Sequence, residues 1–142
     1  MDNIITVKDI EDKKISLSEA RNMAIMHQGE IFKYFDEGCT RYVFCNADRS
    51  KVIKLVKHEH GKDWNAEEAD IYKNATPEDR TLMVRTELIN GFIEQDFVLP
   101  VKYGGRKLTR EQIYFSNSCR NEVGWSEDGT IVCFDLDEFK RY

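Results

Sequence analysis

The architecture of this chain is most constrained by one stretch, YFDEGCTRYVFCNADRSKVIKLV, residues 34–56. Aromatic and β-branched side chains dominate its three runs, which are separated by Gly38 and by the polar run NADRS, a pattern typical of strands joined by turns. The third run, residues 52–56, is the most apolar, yet Lys54 stands at its centre. A cation at that position predicts a partner or a ligand, because an unpaired charge inside a covered sheet is costly.

A candidate partner for this lysine lies in the helix predicted for residues 63–75. One face of this helix carries apolar side chains at helical spacing, and Glu68 falls inside that face. One hypothesis is therefore an ion pair between Lys54 and Glu68. The alternative is that Lys54 lies on an open side of the sheet, as strand alternation favours, since Ile53 and Leu55 would then face the core. The apolar residues of the helix face are Trp64, Ile71, Tyr72 and Ala75.

The patterns in the rest of the chain predict a mixed α+β domain. An S-x-x-E capping box at residues 16–19, with helical spacing to residue 27, predicts an N-terminal helix that ends at Gly29. A short segment capped by Thr109 precedes a hairpin that reverses at residues 126–129. The five expected strands cover residues 31–35, 40–45, 51–56, 82–93 and 97–101.

Composition argues against several classes of function. Usage of 41% hydrophobic and 33% charged residues is globular, and a net charge of −5 makes nucleic acid an unlikely partner. No apolar stretch reaches the length of a membrane span and the N-terminus is charged, so we expect a cytoplasmic protein with no membrane partner. The four cysteines form no C-x-x-C pair and are expected to be reduced packing residues. The run HEH at residues 58–60 is more typical of a solvated bend than of a metal site.

Taken in order, these motifs resemble the N-terminal lobe of the protein-kinase-like fold, in particular the divergent kinase-like proteins of phages and bacteria. The run GCTRYV, residues 38–43, resembles the loop that covers the phosphates, and VIKL, residues 52–55, resembles the strand with the phosphate-binding lysine. The run NAEE, residues 65–68, resembles the helix that delivers the carboxylate partner of that lysine. Nearer the C-terminus, NEVG at residues 121–124 and VCFD at residues 132–135 resemble segments that carry a metal-binding asparagine and aspartate.

The resemblance implies a fold and a set of site residues. The implied α+β fold is a kinase N-lobe-like five-stranded antiparallel sheet with one packed helix, an N-terminal helix, and a small C-terminal hairpin in place of the helical lobe. Its segments are residues 1–30, 31–103 and 104–142, within one compact unit. The implied ligand is Mg-ATP. The residues implied to bind nucleotide are Gly38, Arg41, Val43, Lys54 and Glu68, and those implied to bind metal are Asn121 and Asp135.

Departures from the family pattern bear on catalysis. The phosphate loop keeps one glycine, and the acidic pair before it, residues 36–37, would repel phosphates, an effect that Arg41 offsets in part. Ser116 stands five residues before Asn121, where the family has the base that accepts the substrate's hydroxyl proton, and neutral serine is a poor base. Residues 101–120 are too few to form the several helices of a substrate-docking lobe.

We therefore expect a degenerate, miniature kinase-like module, a pseudokinase of phage or mobile-element origin, that acts through a protein partner and is a candidate for nucleotide binding. One alternative is an active small ATP-dependent phosphotransferase in which Asp135 or Asp137 replaces the missing base. A second alternative is a host-defence inhibitor or adaptor that acts through its surface alone. Its anchors would be exposed aromatic residues, with Tyr103, Tyr114, Trp125 and Tyr142 as candidates.

Overall fold

The computed structural model describes residues 4–11, 16–37, 41–57, 62–89, 91–136 and 139. The chain divides into two compact units, each assembled from two segments. The first unit comprises Met1–Ala66 and Glu87–Gln95, and the second comprises Glu67–Thr86 and Asp96–Tyr142. The polypeptide therefore passes between the units three times along its length.

A seven-stranded sheet organises the first unit. In chain order its strands are β1 (Ile4–Thr6), β2 (Ala24–His27), β3 (Glu30–Glu37), β4 (Arg41–Asn46), β5 (Lys51–Val56), β6 (Thr86–Ile89) and β7 (Phe92–Asp96). Their order across the sheet is β1-β2-β3-β4-β5-β7-β6. Strands β2 to β5 pair antiparallel, whereas β1 pairs parallel with β2. Two short helices, α1 (Val7–Glu11) and α2 (Leu17–Ala20), follow β1 in the chain.

The β4–β5 hairpin, which carries Lys54, is closed by side-chain to backbone hydrogen bonds. The side-chain oxygen of Asn46 accepts hydrogen bonds from the backbone N–H groups of Ser50 and Lys51, each at 3.0 Å. The turn includes Arg49 in the left-handed region, with φ of 55°. Because the turn of a hairpin sets which residues oppose each other, these contacts fix the register that pairs Lys54 with Val43.

The core of the first unit lies against one face of the sheet. The largest fully buried side chains there are Phe32, Phe44, Ile25 and Ile53, and the strand registers place these four on the same face. Burying each of them stabilises the fold by up to about 1.5–3 kcal/mol. Since side chains alternate along a strand, Lys54 belongs to the opposite face.

The second unit combines short helices with a small sheet. Its elements are α3 (Lys62–Asn74), which starts in the first unit, α4 (Pro77–Arg80), β8 (Leu99–Pro100), α5 (Val101–Gly104), α6 (Arg110–Ser118), β9 (Val123–Trp125) and β10 (Ile131–Cys133). The three strands pair antiparallel in the order β10-β9-β8. Cys119, Val123, Cys133 and Leu136 are fully buried in the core of this unit. Helices in the described part of the chain are too short or too polar to cross a membrane.

The predicted N-terminal helix is wrong beyond Ala20. Ser16 does cap helix α2, because its hydroxyl accepts the N–H of Glu19 at 3.2 Å, but the helix ends after one turn. Strand β2 replaces the rest of it and pairs with β1 on one side and with β3 on the other. Gly29, with φ of 77°, lies in the β2–β3 turn and does not end a helix. Pairing with distant strands thus overrides a helical spacing that is present in the sequence.

The strand predictions need two further corrections. The expected five-stranded antiparallel sheet has seven strands and one parallel pair. The strand predicted over residues 82–93 is instead two strands, β6 and β7, which reverse next to Gly91, where φ is 92°. The strand predicted over residues 97–101 is reduced to β8, which belongs to the smaller sheet. The mixed α+β class and the mainly antiparallel character of the large sheet are confirmed.

Candidate functional site

Lys54 is a deeply buried cation of the first unit, with 5% of its surface exposed. It lies at the middle of β5 and opposite Val43, which is half-buried on β4. The burial of Lys54 argues against the alternative in which its side chain lies on an open side of the sheet. Val43, another predicted nucleotide-binding residue of this hairpin, is thus adjacent to the lysine in the sheet.

The backbone of Lys54 is held by Asn65, a residue to which the sequence assigned no separate role. Asn65 lies in the first turns of α3 and is fully buried. Its amide nitrogen donates to the carbonyl of Lys54 at 3.3 Å and to that of Gly91 at 3.2 Å. Its amide oxygen accepts from Nη1 of Arg41 at 3.4 Å. One side chain therefore joins α3 to β4, to β5 and to the β6–β7 turn.

Arg41 and Gly38 were both predicted to belong to a phosphate-covering loop. Gly38 lies outside the described residues. Arg41 begins β4 and is 6% exposed, so its guanidinium is buried near the start of α3, where it contacts Asn65. This guanidinium already donates a hydrogen bond to the amide oxygen of Asn65.

The negative charge expected to repel phosphates is balanced at Glu37. This carboxylate accepts a short hydrogen bond from the ammonium of Lys57, pairs with Arg21 at 3.2 Å, and accepts the hydroxyl of Tyr34 at 2.8 Å. The hydrogen bond from Lys57 and the one from Tyr34 lower the pKa of Glu37, so it is ionised at neutral pH. The repulsion inferred from the sequence is therefore reduced by two neighbouring cations.

In the second unit, Glu68 positions the segment that carries Asp135. Glu68 is fully buried on α3, and its Oε2 accepts the backbone N–H of Leu136 at 3.0 Å. Asp135 is the preceding residue and is half-buried. Its backbone carbonyl accepts the thiol of Cys133 at 3.0 Å. Both hydrogen bonds hold the peptide group between Asp135 and Leu136, so the chain directly after the Asp135 side chain is fixed.

Asn121 and Ser116 are in direct contact. The hydroxyl of Ser116 donates to Oδ1 of Asn121 at 3.1 Å, and the backbone N–H of Asn121 donates to the carbonyl of Ser116 at 2.7 Å. Ser116 is buried on α6, whereas Asn121 is exposed and has φ of 64° in the turn after that helix. Asparagine adopts this left-handed conformation more readily than most residues do.

The oxygen atoms of Asn121 and Asp135 are of the kind that Mg²⁺ binds. The amide oxygen of Asn121 retains a second lone pair while it accepts the Ser116 hydroxyl. Within the described ranges, no three or more histidine, cysteine, aspartate or glutamate side chains group in a way that could hold a metal ion. A site of this type would take its further ligands from water and phosphate, as is usual for Mg²⁺. The run HEH at residues 58–60 lies outside the described residues.

Lys54 and Glu68 belong to different units, so the ion pair between them stays a prediction, and so does the convergence of Asn121 and Asp135 with the lysine.

The sequence analysis also missed a charged cluster in the first unit. Glu94 on β7 is 3% exposed, and its carboxylate contacts Nε2 of His27 at 3.1 Å and the ammonium of Lys51 at 3.7 Å. No local pattern links these residues, because three separate strands bring them together.

The chain matches no family model, no curated protein and no solved structure. The kinase-like resemblance therefore stays a prediction from the sequence.

Proposed function

We propose that this protein is a degenerate, miniature kinase-like module that binds Mg-ATP, transfers no phosphate, and acts through a protein partner. The observation that carries the proposal is the burial of Lys54 at the centre of β5, with its carbonyl held by an asparagine at the start of α3. A sheet that served only as a scaffold would be more stable with an apolar residue at this position, since burying an ammonium costs free energy.

The contacts of the second unit support binding of a magnesium-bound phosphate. Asn121 and Asp135 are the residues of this chain that would hold the metal, which would neutralise phosphate charge when bound. Glu68 would hold the Asp135 segment in place through its hydrogen bond to Leu136. A metal ligand that is already held in place loses less conformational freedom when the metal and phosphate bind.

The environment of Ser116 favours binding without transfer. Its hydroxyl donates a hydrogen bond to Oδ1 of Asn121, at the position where a kinase would have a carboxylate base. General-base assistance contributes about 10²–10⁴-fold to rate, and a serine that donates a hydrogen bond does not supply it. The missing base is therefore the reason we expect no transfer of phosphate by this protein.

A thermal-shift measurement with Mg-ATP tests the proposal. A ligand at about 100 times its dissociation constant stabilises the folded state by about 2.7 kcal/mol, which for a chain of this size raises Tm by several degrees. We expect this shift in the wild type and its loss in Lys54→Met and in Asp135→Asn. Lys51→Met is the matched control, because it removes a lysine from the same strand, and it should keep the shift.

Three outcomes would contradict the proposal. The first is no shift in the wild type at millimolar Mg-ATP. The second is a shift of equal size in Lys54→Met and the wild type, which would assign the nucleotide to another site. The third is transfer of radiolabel from ATP that is lost in Lys54→Met, which would favour the phosphotransferase.

A further inference from the structure

The surface of residues 102–114 differs in charge from the rest of the protein. This segment contains four cations and one carboxylate, Glu111, so it has a net charge of +3 within a chain of −5, which leaves −8 elsewhere. All four cations have exposed side chains. The cations are Lys102, Arg106, Lys107 and Arg110.

Three large apolar or aromatic side chains are exposed in the same segment. Tyr103 is 56% exposed, Ile113 49% and Tyr114 63%. Arg110, Ile113 and Tyr114 share the outer face of α6, because residues three and four apart on a helix are neighbours. The inner face of that helix carries Phe115, which packs against the core of the second unit, and the buried Ser116.

Helix stability does not explain the cations. Lys107 and Arg110 flank the N-terminal end of α6, where the helix dipole favours acidic side chains. The helix is instead secured by a complete capping box, in which the Thr109 hydroxyl accepts the N–H of Gln112 at 3.2 Å and the Gln112 side chain accepts the N–H of Thr109 at 2.8 Å. The cations therefore raise the positive potential of this surface without stabilising the helix beneath it.

An unsatisfied donor lies beneath one of these cations. The guanidinium of Arg106 stacks over the ring of Trp125 at 5.1 Å. The buried Nε1 of Trp125 has no hydrogen-bond acceptor among the residues that the structure describes. Because Arg106 covers the indole ring, a carboxylate that binds Arg106 would change the surroundings of Trp125.

We infer that residues 102–114, the basic segment, form a docking surface for an acidic segment of a partner protein that also carries apolar side chains. Exposed tyrosine and arginine together are the composition favoured at protein interfaces. Nucleic acid is disfavoured, because the −8 on the rest of the chain would repel a polyanion. The inference extends the proposed action through a protein partner, but it does not depend on nucleotide binding.

Selection from a library of random short peptides on the immobilised full chain tests this inference. We expect the selected peptides to be acidic and to contain aromatic or aliphatic residues. A synthesised selected peptide is then titrated against the Trp64→Phe protein, in which Trp125 is the remaining tryptophan. Binding should change the Trp125 fluorescence and should weaken with added salt, because exposed charges are screened.

Charge reversal identifies the surface. The triple variant Arg106→Glu, Lys107→Glu, Arg110→Glu should weaken peptide binding by about tenfold or more, since three exposed ion pairs are lost. The matched control is Lys8→Glu, Arg49→Glu, Lys73→Glu, which makes the same change in net charge at exposed positions elsewhere. It should bind as the wild type does. Circular dichroism checks that both variants fold, and the salt titration of the wild type tests the inference without any variant.

Several results would overturn the inference. Selected peptides without an acidic bias, or equal affinity of the triple variant and the control, would exclude the basic segment as their site. Binding of single-stranded DNA that the triple variant loses, with no selected peptide, would assign the surface to nucleic acid. Self-association lost in the same variant would assign it to a second copy of this chain. The Mg-ATP shift should persist in the triple variant, so failure of this inference is distinct from failure of the proposed function.

Discussion

At the scale of single residues, Asn65 links three separate segments of the first unit. Its amide meets the carbonyls of Lys54 and Gly91 and the guanidinium of Arg41, while none of its own surface is exposed. The sequence pattern N-x-x-E predicted a role for Glu68 and none for Asn65. The asparagine could have been suspected, because a polar residue on an apolar helix face must find hydrogen-bond partners.

Asn65→Ala is therefore predicted to destabilise the protein. The substitution removes the partner of two buried polar groups, the Lys54 carbonyl and the Arg41 guanidinium, and of the part-buried Gly91 carbonyl. Leaving buried polar groups unpaired costs about 1–3 kcal/mol. The free energy of unfolding, measured by urea titration, should fall by this amount. Asn74→Ala is the control, because Asn74 is exposed at the end of the same helix. Equal loss in the two variants would show that the Asn65 contacts are not important for stability.

At the scale of elements, the hairpin of β9 and β10 was expected from its sequence and is present, with its reversal at the expected place. Asp128 organises this turn. Its Oδ1 accepts a short hydrogen bond from the Ser126 hydroxyl and two from Thr130, one from the backbone N–H at 3.1 Å and one from the hydroxyl at 2.7 Å. The hydrogen bond from Ser126, followed by those from Thr130, lowers the pKa of Asp128 from 3.8 to about 2.

This lowered pKa predicts a defined pH dependence. A carboxylate whose pKa is lower in the folded state stabilises that state fully above its ordinary pKa of 3.8, and the contribution is lost as the pH falls through about 2. The Tm difference between the wild type and Asp128→Asn should therefore be largest above pH 3.8 and should shrink toward pH 2. Asp70→Asn, at an exposed helix position, controls for the loss of one charge. A Tm difference that stays constant over this range would contradict the prediction.

Local signals predicted the elements that depend on neighbouring residues. The β4–β5 hairpin, the helix after it and the cap at Thr109 all follow from residues a few positions apart. Strand β2 could not be predicted in this way, because its extended form depends on pairing with β1, about twenty residues away. The turn at Gly91 was predictable, since Asn-Gly is a strong hairpin signal. The contacts of Glu68 with Leu136 and of Ser116 with Asn121 required the coordinates, because sequence order gives no distances.

At the scale of the whole molecule, the reactivity of the buried cysteines is a probe of the packing of both units. Cys45 is buried in the first unit, and Cys119 and Cys133 are fully buried in the second. A hydrogen bond with Cys119, together with burial, raises the pKa of the Cys133 thiol, and burial raises that of Cys45. Since the thiolate is the reactive form, both effects slow alkylation of the folded protein. Cys39 lies outside the described residues.

The last prediction is that these three thiols react with maleimide only when their unit opens. The measurement uses Cys39→Ser protein and follows the mass increase with time. Because the folded state is favoured by several kcal/mol, alkylation at Cys45, Cys119 and Cys133 should be about 10³-fold or more slower than in urea-unfolded protein. The added variant Lys73→Cys places a thiol at an exposed position and should react at once. Rapid labelling of Cys45 alone would contradict the burial of the sheet face that carries Lys54, and rapid labelling of Cys119 or Cys133 would contradict the packing around Ser116 and Asp135.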